Sequence, residues 1–297
     1  MLTIKIYCQL DDFYKFFEKH IKTKSLPKSN KGRKSKLTIP EIATILVLFH
    51  LSGYSNFKRF YKDYALIHLK DYFPDLVSYN RFVELIPSSI TFLYTFLKFT
   101  INLTKSYGFA FVDSTKLPVC ANSRIHSHKV FKGVAERGKD SVGWFYGFKL
   151  HLIINEKGEI LSFDLTAGNV DDRKPLYKMI KDIKGKVLKL FGDRGYISQE
   201  LSNIFLSENI QLIAKPRKNM KGKLLSILDY ILSTKRALVE SVNNILKKQL
   251  KIDHTRHRSP VNFIGNLLSG LVAYYFRKNK PKIDLAMNFK NSYIILV

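Results

Sequence analysis

FAFVDSTKLPV, residues 109–119, is where the chain changes period. Phe109, Phe111, Asp113 and Thr115 alternate onto one face, which is strand spacing. Downstream, GFKLHLIIN (147–155) and EILSFDLTAG (159–168) are two more strands joined by NEKGE (155–159), a short glycine-containing hairpin loop. DDRKPLYKMIKDIKG (171–185) reads as a helix, KVLKLFGD (186–193) as a strand, SQELSNIFLSEN (198–209) as a helix and IQLIAKP (210–216) as a strand. A long helical tract follows over about 224–252, interrupted near Ser233, then an apolar helix, VNFIGNLLSGLVAYYF (261–276). Three strands in a meander followed by alternating helix and strand predict an α/β fold: a mixed sheet with helices on both faces.

Upstream of Gly108 the pattern is helical. LTIPEIATILVLFHL (37–51) opens with Thr38 and Glu41 at capping-box spacing, carries Pro40 in the first turn and is closed by Gly53. SNFKRFYKDYAL (55–66) and SYNRFVELI (78–86) read as two short helices, and SITFLYTFLKFTINLTKSYG (89–108) as a longer one. The expected division is an all-α N-terminal domain over 1–107, the α/β domain over 108–277 and a tail over 278–297.

Fifty Lys and Arg stand against 24 Asp and Glu in 297 residues, a formal charge of +26. The positive charge is spread along the chain, which favours a polyanion such as DNA over a membrane surface. Two cysteines exclude a disulfide framework and a Cys-based zinc site. The longest apolar runs are too short for a membrane span or carry Lys98, and Met1 to Gln9 lacks a signal-peptide pattern, so a cytoplasmic setting is expected.

The chemistry rests on carboxylates distant in sequence. Asp113 lies in the first strand, Asp193 ends LFGDRGYIS's apolar run (190–198), and Glu240 lies on the late helix. Such a cluster is tolerable only with bound cations, and oxygen ligands suit Mg²⁺ or Mn²⁺. At about 100° per residue, Arg236, Glu240, Asn244 and Lys247 share one face of that helix, opposite Leu238, Val242, Ile245 and Leu246. This stripe fits a metal and phosphate environment, and equally an i,i+4 ion pair between Arg236 and Glu240.

Together with HKVFKGVAERGKDSVGWFYGFKLHLIINEKGEI (128–160), AGNVDD (167–172) and RALVESVNNILKKQLKIDHTRHRS (236–259), these segments resemble the DDE transposases of bacterial insertion sequences. The nearest likeness is to the insertion-sequence family numbered 982, related to the IS4/IS5-like groups. The resemblance is close over about 108–277. It implies a ribonuclease-H-like catalytic fold with Asp113, Asp193 and Glu240 as the acidic triad holding two Mg²⁺ or Mn²⁺ ions. It further implies hydrolytic cutting of DNA at the element's terminal inverted repeats, joining of the freed 3′-OH to target DNA, and a homodimer on DNA. A late-helix signature of related groups (Tyr, two residues, Arg, three, Glu, six, Lys) is matched at Arg236, Glu240 and Lys247, with Ser233 in place of Tyr. DNA contacts are expected at Arg236, Lys247, Lys248, Lys251, Arg256 and Arg258, at Lys132, Arg137 and Lys139, and at Arg33 and Lys34 in the basic run 28–36. A transposase-derived DNA-binding protein without catalysis and a ribonuclease-H-like host nuclease are the competing classes.

Other residues have plainer readings. Asp171 and Asp172 are expected to cap the helix that follows, and Asp164 to face outward. His254 and His257 lie in a basic segment and lack further zinc ligands. Trp144, Phe145 and Tyr146 either open a buried strand or stack on an unpaired base.

Overall fold

The computed structural model describes residues 2–20, 35–214, 226–253 and 257–283. Among the described residues, five helical segments precede the sheet: α1 (Leu2–His20), α2 (Ile39–Leu51), α3 (Phe57–Arg59), α4 (Leu66–His68) and α5 (Tyr79–Leu103), with a π-helical turn, Phe60–Ala65, joining α3 to α4. Thr38 caps α2 as its sequence requires: its backbone N–H donates to Glu41 Oε2 at 2.7 Å and its hydroxyl accepts from the Glu41 N–H.

The two helices read over 78–108 are one. α5 runs through Pro87, with the Ser88 and Ser89 hydroxyls donating to the Leu85 and Ile86 carbonyls beside it. It is 25 residues long, and an 18-residue stretch of it with a mean hydropathy of 1.2 has the length and composition of a membrane span. Its apolar stripe is instead covered by α2 and by the late helix Pro260–Phe276.

The sheet contains β1 (Gly108–Cys120), β2 (Glu136–Lys139), β3 (Trp144–Asn155), β4 (Ile160–Ala167), β5 (Val187–Gly192) and β6 (Gln211–Ala214). β3 pairs antiparallel with β1 along one edge; its other edge is shared by β2 and β4, both antiparallel to it. β1, β5 and β6 are parallel. An antiparallel meander feeding a parallel half, with β1 central between β3 and β5, is the ribonuclease-H-like arrangement. The short strand β2 has no sequence counterpart above: ERGK is polar, and only its pairing with β3 makes it a strand.

Between and after the strands lie α6 (Leu176–Ile183), α7 (Gln199–Ser207), α8 (Ile227–Thr234), α9 (Ala237–Asn244) and α10 (Pro260–Phe276). The alternation of β1 divides the core. Ala110 and Val112 face α6 and α7, packing with Met179, Ile180, Leu201 and Phe205. Phe111, Leu117 and Val119 face the other way, into a cluster with α9, α10 and the N-terminal helices. β3 is buried from Phe145 to Asn155 apart from Lys149, as a strand covered on both faces should be.

One helix expectation needs correction. Asp171 and Asp172 do not cap α6, which begins at Leu176; Asp171 folds onto Arg173, and Asp172 binds Lys149 of β3. The late tract is interrupted near Ser233 as expected, at Lys235–Arg236, and beyond Asn244 it continues as a π-helical turn, Ile245–Gln249. Asp229 anchors α8 to β5 through a 2.6 Å ion pair with Lys189.

Candidate active site

Asp113 sits mid-strand in β1 on the face that α9 crosses. Phe111 pairs with Phe191, and two residues further each strand reaches an aspartate, Asp113 and Asp193. Adjacent strands lie about 4.8 Å apart, so the register carries the Asp193 backbone, just past the end of β5, alongside the strand that holds Asp113. Asp193 follows β5 in extended conformation and is exposed.

The third carboxylate arrives with Arg236. Its guanidinium stands between two acids: Nη2 donates to Glu240 Oε1 at 2.9 Å, and Nη1 lies 3.7 Å from Asp113 Oδ1. Asn243, one turn beyond Glu240, donates from Nδ2 to Asp113 Oδ2 at 3.0 Å. Burial pushes the Asp113 carboxyl up to about 6, opposed by Arg236 and assisted by Glu240. Lys247 donates to Thr115 Oγ1 at 3.4 Å, on the same face as Asp113, and burial lowers its ammonium's pKa.

Thus Asp113, Arg236, Glu240 and Lys247 are brought together, with Asp193 on the neighbouring strand. The other basic residues are dispersed. Lys248 is exposed on the π-helical turn, and Lys251 donates to the Gly53 carbonyl beyond α2, away from the acids. Arg137 and Lys139 lie over the exposed Trp144 ring, at 4.8 and 5.5 Å from its centre, and Lys132 is exposed in the preceding turn. Trp144 therefore does not open a buried strand, whereas Phe145 and Tyr146 do. Arg258 is exposed at the start of α10; Arg33, Lys34, Arg256 and His254 lie outside the described residues.

Sequence reasoning missed what lies behind the acids. On the α6 side of β1, Ser114 donates to Asp172 Oδ2 at 3.0 Å, and Lys149 donates to Asp172 Oδ1 and the Val170 carbonyl, each at 2.9 Å. Beside this network the Tyr196 hydroxyl is buried with no aligned partner. Ser114 is close enough to favour the phenolate, but its own hydrogen already goes to Asp172. Burial, and then the charges of Asp113, Asp172 and Asp193, hold the Tyr196 phenol well above its ordinary pKa. Gly192 packs against this tyrosine: a Cβ there would meet the Tyr196 ring and Val112 at 3.0 Å, so its role is on the far face and not, as its place beside Asp193 suggests, at the acids. The only sequence signal for Tyr196 was its place in GDRGY; Asn243 and Asp172 carried none.

Among the described residues no three acidic, His or Cys side chains are close enough to share one ion. The Arg236 cation lies between Asp113 and Glu240. The residues nevertheless fit a divalent metal. The donors are hard oxygens, a guanidinium stands in for the counter-charge, and buried Asp113 is costly to ionise without one.

Residues 103–260, more than half of the chain, match the transposase DDE domain family. The chain belongs to this family. No curated protein matches it. Among solved structures, a chain from the crystal structure of a pre-cleavage Mos1 transpososome is 10% identical over 91% of this chain and 87% of that one, with a TM-score of 0.25. A likeness that slight says nothing about function.

Proposed function

We propose that the chain is the transposase of a bacterial insertion sequence, of the kind numbered 982, which cuts the element's ends and joins their 3′-OH groups to target DNA. The observation that carries this reading is the convergence of Asp113 and Glu240 on one guanidinium, with Asp193 level on the adjacent strand. Bound Mg²⁺ or Mn²⁺ would activate water or a 3′-OH and stabilise the leaving oxygen. Asp113, Asp193 and Glu240 are the residues that would hold it.

The remaining groups have distinct tasks. Asn243 fixes one Asp113 oxygen by its amide, leaving the other directed at Arg236. Arg236, released from the carboxylates, has the planar donor fork that clamps a phosphate. Lys247 holds a positive charge one step along the same face, beside Thr115. The dispersed cations and the +26 charge supply backbone affinity without sequence information. In this reading the N-terminal part, 1–107, binds DNA, 108–277 performs the chemistry in the cytoplasm, and two copies join the two ends.

The test is cleavage and strand transfer on the element's own ends with Mg²⁺. Asp113→Asn, Asp193→Asn and Glu240→Gln should each lower product by about 10³-fold or more while DNA binding persists. Unchanged cleavage in these variants sinks the assignment of the acids. Metal-independent binding with no product from the parent chain points to a DNA-binding descendant, and cutting of DNA without terminal repeats to a host nuclease.

A further inference from the structure

The pair β2–β3 forms the end of the sheet opposite the β3–β4 hairpin, and its two faces differ. ERGK (136–139) has little strand preference of its own, yet it is held closely. Gly138 pairs with Phe145, and a Cβ there would sit 2.2 Å from the Gly168 carbonyl oxygen and 2.7 Å from the Phe145 ring. One face of the pair is therefore packed down, with no room for a side chain between. The other face presents Trp144, Arg137 and Lys139. Lys139 pairs with Trp144 and Arg137 with Tyr146, so the register sets all three on one side.

The Trp144 side is the side of the acids. Tyr146, Phe148, Leu150 and Leu152 continue the alternation of Trp144 along β3 and pack with Phe111 and Leu117, the residues that flank Asp113 and Thr115 on β1. Asp113 pairs with Leu152, eight residues beyond Trp144. At a rise of about 3.3 Å per residue the indole stands about 25 Å along the sheet from Asp113. Half of Trp144 is exposed, at 50%. Asn122 Nδ2 ties down its carbonyl at 2.7 Å. Among the described residues, Arg137 and Lys139 are set against this ring and against no carboxylate.

An exposed indole beside two uncompensated cations fits one kind of occupant. A second copy of this chain, itself at +26, would be repelled, whereas a polyanion is attracted. Phosphates alone need only the cations. The ring adds a flat apolar face, and in a duplex the faces of the bases are covered by their neighbours in the stack, so an unpaired base is what it can take. We propose that Trp144 is a stacking platform for an unpaired DNA base, with Arg137 and Lys139 on the flanking phosphates. The proposal rests on the reading of the chain as acting on DNA. It adds a point where strands are held open on the acid-bearing face. That point is about 25 Å from Asp113, or about seven nucleotides of duplex at about 3.4 Å each, so it is not at the bond to be cut.

Trp144 is the sole tryptophan of the chain, so indole fluorescence of the full chain reports this site alone. The chain is titrated with a thymine single strand, with a duplex carrying a bulge of unpaired thymines, and with the same duplex fully paired. The single strand and the bulged duplex should quench the indole, and the paired duplex should bind without quenching it. Trp144→Leu should weaken single-strand binding about tenfold and leave paired-duplex affinity and melting temperature unchanged, while Trp144→Phe keeps most of the affinity. Equal quenching by both duplexes, or a folded Trp144→Leu chain that binds all three DNAs like the parent or loses all three equally, overturns the proposal. So does a fluorescence change on diluting the protein alone, which assigns the patch to self-association. Should Trp144→Leu not fold, quenching in the parent chain decides by itself. DNA binding without any quenching sinks the platform alone; no DNA binding at all sinks the transposase reading, and the platform with it.

Discussion

Asp113 shows why a single residue in this site is legible only with its neighbours. In sequence it is an aspartate in a strand; in the structure it is half-buried, bonded by Asn243 and faced by Arg236. The alternation through Phe109 and Phe111 fixed its face, and the i,i+4 spacing of Arg236 and Glu240 matched the 2.9 Å bond now seen. That bond is the ion-pair alternative open from sequence. Tyr196 was out of reach because its neighbours Ser114 and Asp172 come from elements remote in sequence. Its unpartnered hydroxyl gives a sharp expectation. Tyr196→Phe removes a buried polar atom and little else, so stability should hold or rise by about 1 kcal/mol, read as an equal or higher melting temperature. A clear fall in melting temperature would mean that the hydroxyl has a partner, such as Ser114.

Elements were read well where one local rule decided them and poorly where packing did. The α2 cap, the β3–β4 hairpin and the strands β1 and β5 follow from capping chemistry, turn residues and period. The run through Pro87 and the polar strand β2 are set by contacts with neighbours. α10 illustrates the competition. At Gly270 an added Cβ would sit 2.4 Å from Ile252 Cγ2, against the segment that ends the late helical tract. Gly270→Ala gains about 1 kcal/mol of helix propensity but overpacks a β-branched neighbour, typically by about 1–3 kcal/mol. The net expectation is a melting temperature lower by a few degrees, seen by calorimetry; a rise would show that Ile252 moves aside freely.

At the scale of the molecule, buried histidines tie stability to pH. His50 on α2 donates from Nδ1 to the Leu250 carbonyl at 2.6 Å, joining the N-terminal helices to the end of the late tract. Burial holds His50 and His257 down to about 4, and pushes His151 down as well against the pull of Asp172. The unfolded chain binds these protons near pH 6.5, so the folded state keeps its full advantage above that pH and loses it as pH falls toward 4. Each histidine contributes a slope of up to about 1.4 kcal/mol per pH unit. Melting temperature should therefore drop steadily from pH 6.5 to 4.5, and His50→Gln should flatten the decline. A flat profile in that window would show that the rings are protonated in the fold.

The order of most strands and helices and the basic charge were determined by the sequence alone, and the three candidate acids were proposed from it, because period, composition and motif are local properties of a chain. Only the tertiary structure decided that Arg236 bridges two of those acids and that Asn243 holds one of them. Those contacts depend on how a late helix closes over one sheet face, a property no local pattern encodes.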